Sequence, residues 1–171
     1  MITLRAVEPE DLALLYIWEN DRSVWRVSNT LAPFSKAQLQ QYLLSDPGNI
    51  LANRQLRMMI DSKEGSVSTV GAVDLFDFDP VHRRAGVGIL IAAEDDRKRG
   101  FASEALRQMI DYGKNVLFLH QLYCNIAAGN TISIRLFEKS GFSLSGTKKE
   151  WLKTDSGWED ELFLQIHLNN E

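Results

Sequence analysis

Apolar residues change their spacing along this chain, and each change marks off an element. Ile2 to Leu4 reads as a short strand. Pro9 suits a first helical turn, and Leu12, Leu15, Tyr16 and Glu19 follow at helical spacing. Ser35 has the side chain of a helix N-cap, with Leu39, Tyr42 and Leu43 forming the apolar stripe behind it. In the middle the period shortens. Leu56–Ile60, Val67–Phe78 and His82–Ala92 predict three strands, the first two joined by a turn at Lys63-Glu64-Gly65. From Phe101, the positions Ala105, Leu106, Met109, Ile110 and Leu117 return to helical spacing. Leu122–Ala127 is strand-like and Asn130–Ser140 helical, with Gly141 suited to a left-handed residue after the helix end. Two final strands, Ser143–Leu152 and Glu159–Leu168, flank the polar turn Asp155-Ser156-Gly157. A strand, helices, three strands, helix, strand, helix and two strands predict a mixed α/β layered domain, neither all-parallel nor all-helical.

No repeat, low-complexity tract or Pro/Gly-rich linker divides the 171 residues, so a single domain over 1–171 is expected. The balance of apolar and charged residues is that of an ordinary soluble globular protein. The single cysteine, Cys124, excludes an intramolecular disulfide and a Cys-rich zinc site, and it fits a reducing cytoplasm, the expected location. Met1-Ile2-Thr3-Leu4-Arg5 lacks the apolar core of a signal peptide, and no apolar run approaches the ~20 residues that span a bilayer. No membrane partner is expected. A net charge of −4 argues against nucleic acid as partner and is compatible with a cationic small substrate. His82, His120 and His167 stand apart from one another, so no metal is expected.

One segment changes this picture. Arg97-Lys98-Arg99-Gly100-Phe101-Ala102 lies between a β-run and a helix, where backbone N–H groups without intrahelical partners point outward. A helix N-terminus carries about half a positive charge and attracts phosphate. Gly100 permits close backbone approach, Ala102 is small, and three basic side chains add charge, partly opposed by Asp95 and Asp96. On its own the segment reads more readily as a solvated turn with a charge cluster. Rival phosphate motifs are absent: no G-x-x-x-x-G-K-[ST] occurs, nor a G-x-G-x-x-G after the first strand.

The segment resembles the Arg/Gln-x-x-Gly-x-Gly/Ala motif of the GCN5-related N-acetyltransferases, with Arg97, Gly100 and Ala102 in the defining places. Asn130-Thr131-Ile132-Ser133-Ile134-Arg135-Leu136-Phe137-Glu138-Lys139-Ser140-Gly141-Phe142 is similar to the family's second signature, a cap Asn, a helix and a Gly-Phe ending. Thr3-Leu4-Arg5, Glu10-Asp11-Leu12 and Trp18-Glu19-Asn20-Asp21 resemble the opening of the ribosomal-protein N-terminal acetyltransferase branch. Val81-His82-Arg83-Arg84-Ala85 and Met109-Ile110-Asp111-Tyr112-Gly113 are similar to bacterial spermidine/diamine N-acetyltransferases. The resemblance runs from residue 3 to about 165, with its motifs in the family's order.

The resemblance implies the family's fold: a mixed, mostly antiparallel sheet flanked by helices, with a splayed parallel strand pair that binds acetyl-CoA. Ile89, Leu90 and Ile91 would pair with the pantetheine arm, and a backbone N–H there would hold the thioester carbonyl. Arg97, Lys98, Arg99, Gly100, Phe101, Ala102 and Ser103 would surround the pyrophosphate. Asn130, Ser133 and Phe137 would complete the cofactor site, Asn130 also capping its helix. Related enzymes place a Tyr as general acid where this chain has Phe137, whose ring has no proton to give. Tyr123 is the candidate substitute, and solvent is the alternative. Asp74 is the first candidate for a base. Asp77 lies on the same strand with opposite parity, so a bulge is required for both to face one cleft. His82 titrates in a suitable range but reads equally as a polar strand start.

The acceptor is expected to be a small polyamine-like or other amine. Glu19, Asp21, Asp74 and Asp77 are its candidate carboxylates, and Trp18 and Trp25 its candidate groove walls. Val27-Ser28-Asn29-Thr30-Leu31 lacks the acidic pair that the spermidine enzymes carry there, which weakens any transfer of polyamine specificity. A protein or peptide N-terminus, or a CoA-binding regulatory protein without chemistry, remains as an alternative. The resemblance also implies a homo-oligomer.

Overall fold

The computed structural model describes residues 1–28, 30–65 and 67–168. Its strands are β1 (Ile2–Ala6), β2 (Leu56–Ser62), β3 (Ser68–Asp79), β4 (Arg84–Ile91), β5 (Gln121–Ala127), β6 (Ser143–Thr154) and β7 (Gly157–His167). The helices are α1 (Leu12–Glu19), α2 (Arg22–Ser28), α3 (Lys36–Leu44), α4 (Ile50–Asn53), α5 (Phe101–Asn115) and α6 (Thr131–Lys139). The seven strands form one sheet in the order β1-β2-β3-β4-β5-β7-β6. Every neighbouring pair is antiparallel except β4–β5. The mixed, mostly antiparallel sheet with one parallel pair is the architecture expected.

Side-chain alternation sorts the sheet into two faces. Phe101, Ala105, Leu106 and Met109 of α5 are buried with Val73, Leu75, Val87, Leu122, Cys124 and Leu164, and Phe137 of α6 joins the same cluster. On the opposite face Leu15 of α1 and Leu39 of α3 pack on Met59 and Ala72. Asp74 and Phe76 share the parity of Ala72 and so look toward the α1–α3 side. Register sets them beside Gly88 and Gly86 of β4. Both glycines leave that face thinly covered, and at Gly86 a Cβ would lie 2.2 Å from the Phe76 ring.

The caps explain most helix starts. Ser35 accepts from the Gln38 N–H while Gln38 reaches back to the Ser35 N–H, a capping box. Gly141 has φ +97, the left-handed position expected after α6. The sequence pattern does not register α2 or α4, because seven and four residues give a period too few positions to show. They rest on local caps instead: the Asp21 carboxylate accepts from the Ser23 N–H, and Asn49 from the Ala52 N–H. The third predicted strand begins at Arg84 rather than His82, since Arg83 sits at φ +51 in the turn.

Arg5 ties β1 to the turn before α1. Its Nη1 and Nη2 donate to Asp11 at 2.7 and 2.8 Å, and its Nε to Asp61 at 2.7 Å. Asp11 is only 4% exposed. Burial alone would raise its pKa, but the Arg5 hydrogen bonds and the Glu8 N–H outweigh that and hold it below the usual carboxylate range. A depressed folded pKa stabilises fully above the unfolded value, about 4, and the benefit is lost as pH falls through the folded value. Asp11→Asn is therefore expected to cost about 3 kcal/mol at neutral pH, lowering Tm by ~9 °C. Scanning calorimetry at pH 7 and pH 3 checks this, with the gap between variant and wild type shrinking at the lower pH.

Candidate active site

β4 and β5 pair over three positions only: Arg84↔Gln121, Ala85↔Leu122 and Gly86↔Tyr123. Beyond them, β4 runs on to Ile91 and β5 to Ala127 with no ladder between. The Ala92 N–H donates to the Val70 carbonyl at 3.0 Å, and the β3–β4 register is unbroken from Gly71↔Ile91 to Phe76↔Gly86. Alternation then turns the backbone groups of Ile89 and Ile91 away from β3 and into the gap, while those of Leu90 face β3. The side chains of Ile89 and Ile91 pack with the α5 core at the same time. Packing and an exposed backbone edge coexist at these two residues.

The gap opens toward the loop before α5. Gly100 caps that helix at φ +85, a conformation that suits glycine, and nothing lies within 4 Å of where its Cβ would be. The first intrahelical bond runs from the Glu104 N–H to the Gly100 carbonyl, so the N–H groups of Phe101, Ala102 and Ser103 precede it. Free donors, open space and the positive end of a 15-residue helix fit a diphosphate. The basic side chains divide the work unequally. Arg97 folds back, donating to the Ile91 and Ala92 carbonyls at 3.2 Å each, and so fixes the loop to the end of β4. Arg99 pairs with Asp96 and Glu64 and lies over the Phe101 ring. Lys98 has no ion pair among the described residues.

Across the gap, Asn130 caps α6 by accepting from the Ser133 N–H at 3.2 Å. The β5–α6 loop is held from β7, where Glu159 accepts from the Gly129 N–H. Phe137 is 3% exposed and meets Phe142 edge-on at 5.0 Å, so its ring is part of the core.

On the other face of the sheet, beside the last β4–β5 rung, lies a cleft of about 530 Å³ that includes Asp77, Tyr123, Asn125 and Phe163. The Tyr123 hydroxyl donates to Asp77 Oδ2 at 3.3 Å, and Phe76 and Phe163 flank its ring. Burial, with the negative charge of Asp77 added, pushes the phenol up to about 12, so it stays protonated at physiological pH. Asp77 reaches the cleft because β3 bulges there: its φ is +49 and the register shifts between Phe76 and Asp79. The required bulge exists, but it does not join the two aspartates. Arg57 holds Asp74 through Nε at 2.7 Å and Nη2 at 3.0 Å, and also binds Glu19. Burial opposes the charge on Arg57, but pairing with Asp74 and Glu19 outweighs it and raises its pKa.

Other sequence candidates lie elsewhere. His82 is in the exposed β3–β4 turn, its N–H bonded to Asp79. Trp18 packs on the α1–α3 cluster, and Trp25 donates from its indole to the Glu19 carbonyl. Asp21 lies at the start of α2 and outside the cleft. Of the segment Val27–Leu31, Asn29 lies outside the described residues. Arg54, Asp79, Arg84 and Lys148 line the cleft without having been singled out for it, because a turn, a bulge and a distant hairpin bring them together.

The family profile described as Acetyltransferase (GNAT) domain matches residues 1–143. The spermidine N(1)-acetyltransferase of Vibrio cholerae serotype O1 is 27% identical over 162 residues, covering 93% of this chain and 88% of that protein. The Escherichia coli K12 protein of the same name is 32% identical over 147 residues, covering 85% and 74%. A crystal structure of the Vibrio cholerae spermidine N-acetyltransferase with CoA and spermine has a TM-score of 0.85 at 26% identity, covering 98% of this chain and 95% of that one.

Proposed function

The chain belongs to the GNAT acetyltransferase family and is an acetyl-CoA-dependent N-acetyltransferase; from that premise we propose that it acetylates a primary amine of a small molecule. Spermidine and its kin are the first acceptors to try, since the relatives carry that name. The observation that carries the reading is the three-rung β4–β5 pairing, which opens in front of the free α5 N-terminus.

The bound thioester supplies an activated acetyl group. The N–H groups of Phe101, Ala102 and Ser103 receive its diphosphate, with Lys98 adding charge, while Arg97 keeps the loop in place and Gly100 leaves it room. Ile89 and the Ile91 N–H offer a backbone edge to the pantetheine amides, the Ile91 carbonyl being taken by Arg97, and an N–H there would steady charge on the thioester oxygen. Asn130 and Ser133 border the gap at the α6 N-terminus, and Phe137 packs behind it. On the acceptor side Asp77 receives the ammonium and takes its proton, directly or through water. Tyr123 keeps its proton at neutral pH and stands at the β4–β5 opening, the role proposed for it in place of Phe137. Asp74 has both oxygens engaged by Arg57 and is not among the residues lining the cleft. With Glu19 and Arg57 it leaves one net negative charge under α1, which favours a cationic acceptor.

Steady release of CoA with spermidine, spermine, diamines and N-terminal peptides tests the reading. Turnover of a small amine supports it. Tight acetyl-CoA binding without acetylation of any amine would favour a CoA-binding regulatory protein, the reading that the buried phenyl of Phe137 supports. A homo-oligomer, dimer or higher, belongs to the same proposal. Exposed Leu144, Trp151 and Trp158 on the β6–β7 hairpin support it, and sedimentation velocity measures it. A cytoplasmic location is likewise proposed; among the described residues no helix is long and apolar enough to cross a membrane.

A further inference from the structure

The charges around the acceptor cleft cancel unequally. Asp79 is already occupied: it accepts from the Val81 and His82 N–H groups at 3.0 and 2.9 Å and lies 3.4 Å from Arg84 Nη2. Lys148 is held by Glu161 at 2.7 Å and Asn125 at 3.0 Å. Two charged groups of the wall remain without an ion pair among the described residues. One is Asp77, whose side-chain partner is the neutral Tyr123 hydroxyl. The other is the Arg54 guanidinium.

The backbone of Arg54 is anchored beside the cleft. It closes α4 at φ +53, and its carbonyl accepts the Phe78 N–H at 3.0 Å, next to the Asp77 bulge. Arg84, loosely engaged by Asp79, lines the same cleft. The wall thus holds one available anion and one available cation, and Arg84 is a second cation on the same lining. A polyamine carries only ammonium groups. One of them suits Asp77, but the next meets Arg54, Arg84 or Lys148 and is repelled.

We propose that the acceptor is an amino carboxylate, its ammonium at Asp77 beside Tyr123 and its carboxylate received by Arg54 with help from Arg84. The inference rests on the N-acetyltransferase reading and narrows its acceptor. A guanidinium suits that task because its planar fork matches a carboxylate in two parallel hydrogen bonds. Arg54 sets specificity and takes no part in the chemistry.

The test compares kcat/KM for 4-aminobutanoate, 1,4-diaminobutane and spermidine in the wild type, Arg54→Glu and Arg54→Gln. The wild type is expected to prefer the amino carboxylate by about tenfold, and charge reversal to shift the ratio toward the diamine by at least that much. Arg54→Gln should fall between, with the KM for acetyl-CoA unchanged in all three proteins. Preference of the wild type for the diamine and spermidine, with a ratio indifferent to Arg54, overturns the proposal. If no amine is acetylated, the transferase reading fails by itself. Calorimetric binding of 4-aminobutanoate and 1,4-diaminobutane to the CoA-loaded protein then decides the acceptor question. Tighter binding of the amino carboxylate, lost in Arg54→Glu, supports the proposal; equal or reversed affinities overturn it.

Discussion

Gly100→Glu is expected to abolish acetyl-CoA binding and leave a folded protein. Two effects act on the fold and nearly cancel. A side chain at φ +85 costs about 1–2 kcal/mol, while a carboxylate at a helix N-terminus returns ~0.3–1 kcal/mol. No steric term adds to them, because nothing lies within 4 Å of the new Cβ. Binding has no such compensation. The added carboxylate stands in the open space before the N–H groups of residues 101 to 103, where it blocks the diphosphate and repels it. A loss of at least ~100-fold in affinity is expected, equivalent to about 2.7 kcal/mol. Gly100→Ala separates charge from backbone strain, since it carries the same φ penalty without the anion and should still bind. Calorimetric titration with CoA, alongside Tm for each variant, measures both effects. Wild-type affinity in the Glu variant would remove the loop from the cofactor site.

Tyr123→Phe is the second large effect, a fall in kcat of about 100-fold with the KM for acetyl-CoA unchanged, the usual scale for a lost acid or base. The ring keeps its contacts with Phe76 and Phe163, so only the hydroxyl and its bond to Asp77 disappear. Asp77→Asn should lower kcat/KM for the amine by removing the proton acceptor, and raising the pH should restore part of it as free amine accumulates. Because the phenol is pushed up to about 12, its ionisation falls above the working range, so loss of the Tyr123 proton is not expected to limit activity below about pH 10. Full turnover in Tyr123→Phe across the neutral to mildly alkaline range would show that the thiolate takes its proton from solvent and that Tyr123 only shapes the cleft.

The proposed cofactor side is visible in the sequence because its residues are contiguous. Arg97 to Ser103 is one loop entering one helix, and Asn130 to Gly141 is one capped helix with its glycine stop. Spacing alone exposes such features. Backbone detail is not legible: that Ile89 and Ile91 face the gap while Leu90 faces β3 follows from pairing with Val70, 22 positions from its partner Ala92 in the chain. The acceptor side is half legible. Parity shows that Asp74 and Asp77 need a bulge to share a face, and the bulge is present at Asp77. No spacing reveals that Arg57, on the neighbouring strand, engages both oxygens of Asp74, or that Tyr123 donates to Asp77 with Arg54 on the same cleft wall. Those hydrogen bonds join residues 17 and 46 positions apart, and no local period encodes them.

A sheet that comes apart in its middle has more than two borders. The outer ones, β1 and β6, are guarded in familiar ways: β1 is five residues long, and β6 is broken by two register shifts and carries Lys148, Lys149 and Lys153. The inner ones, along Ile89–Ile91 and Asn125–Ala127, carry backbone groups outside any ladder, although Arg97 takes the Ile91 carbonyl and the Asn130 N–H that of Ala127. Their defence is geometry. α5 and α6 cover one side, and the β4–β5 ladder ends at Gly86 and Tyr123, so an incoming chain would have to leave one edge as it followed the other. The divergence proposed to admit the pantetheine arm would then also protect these inner borders from pairing with another chain.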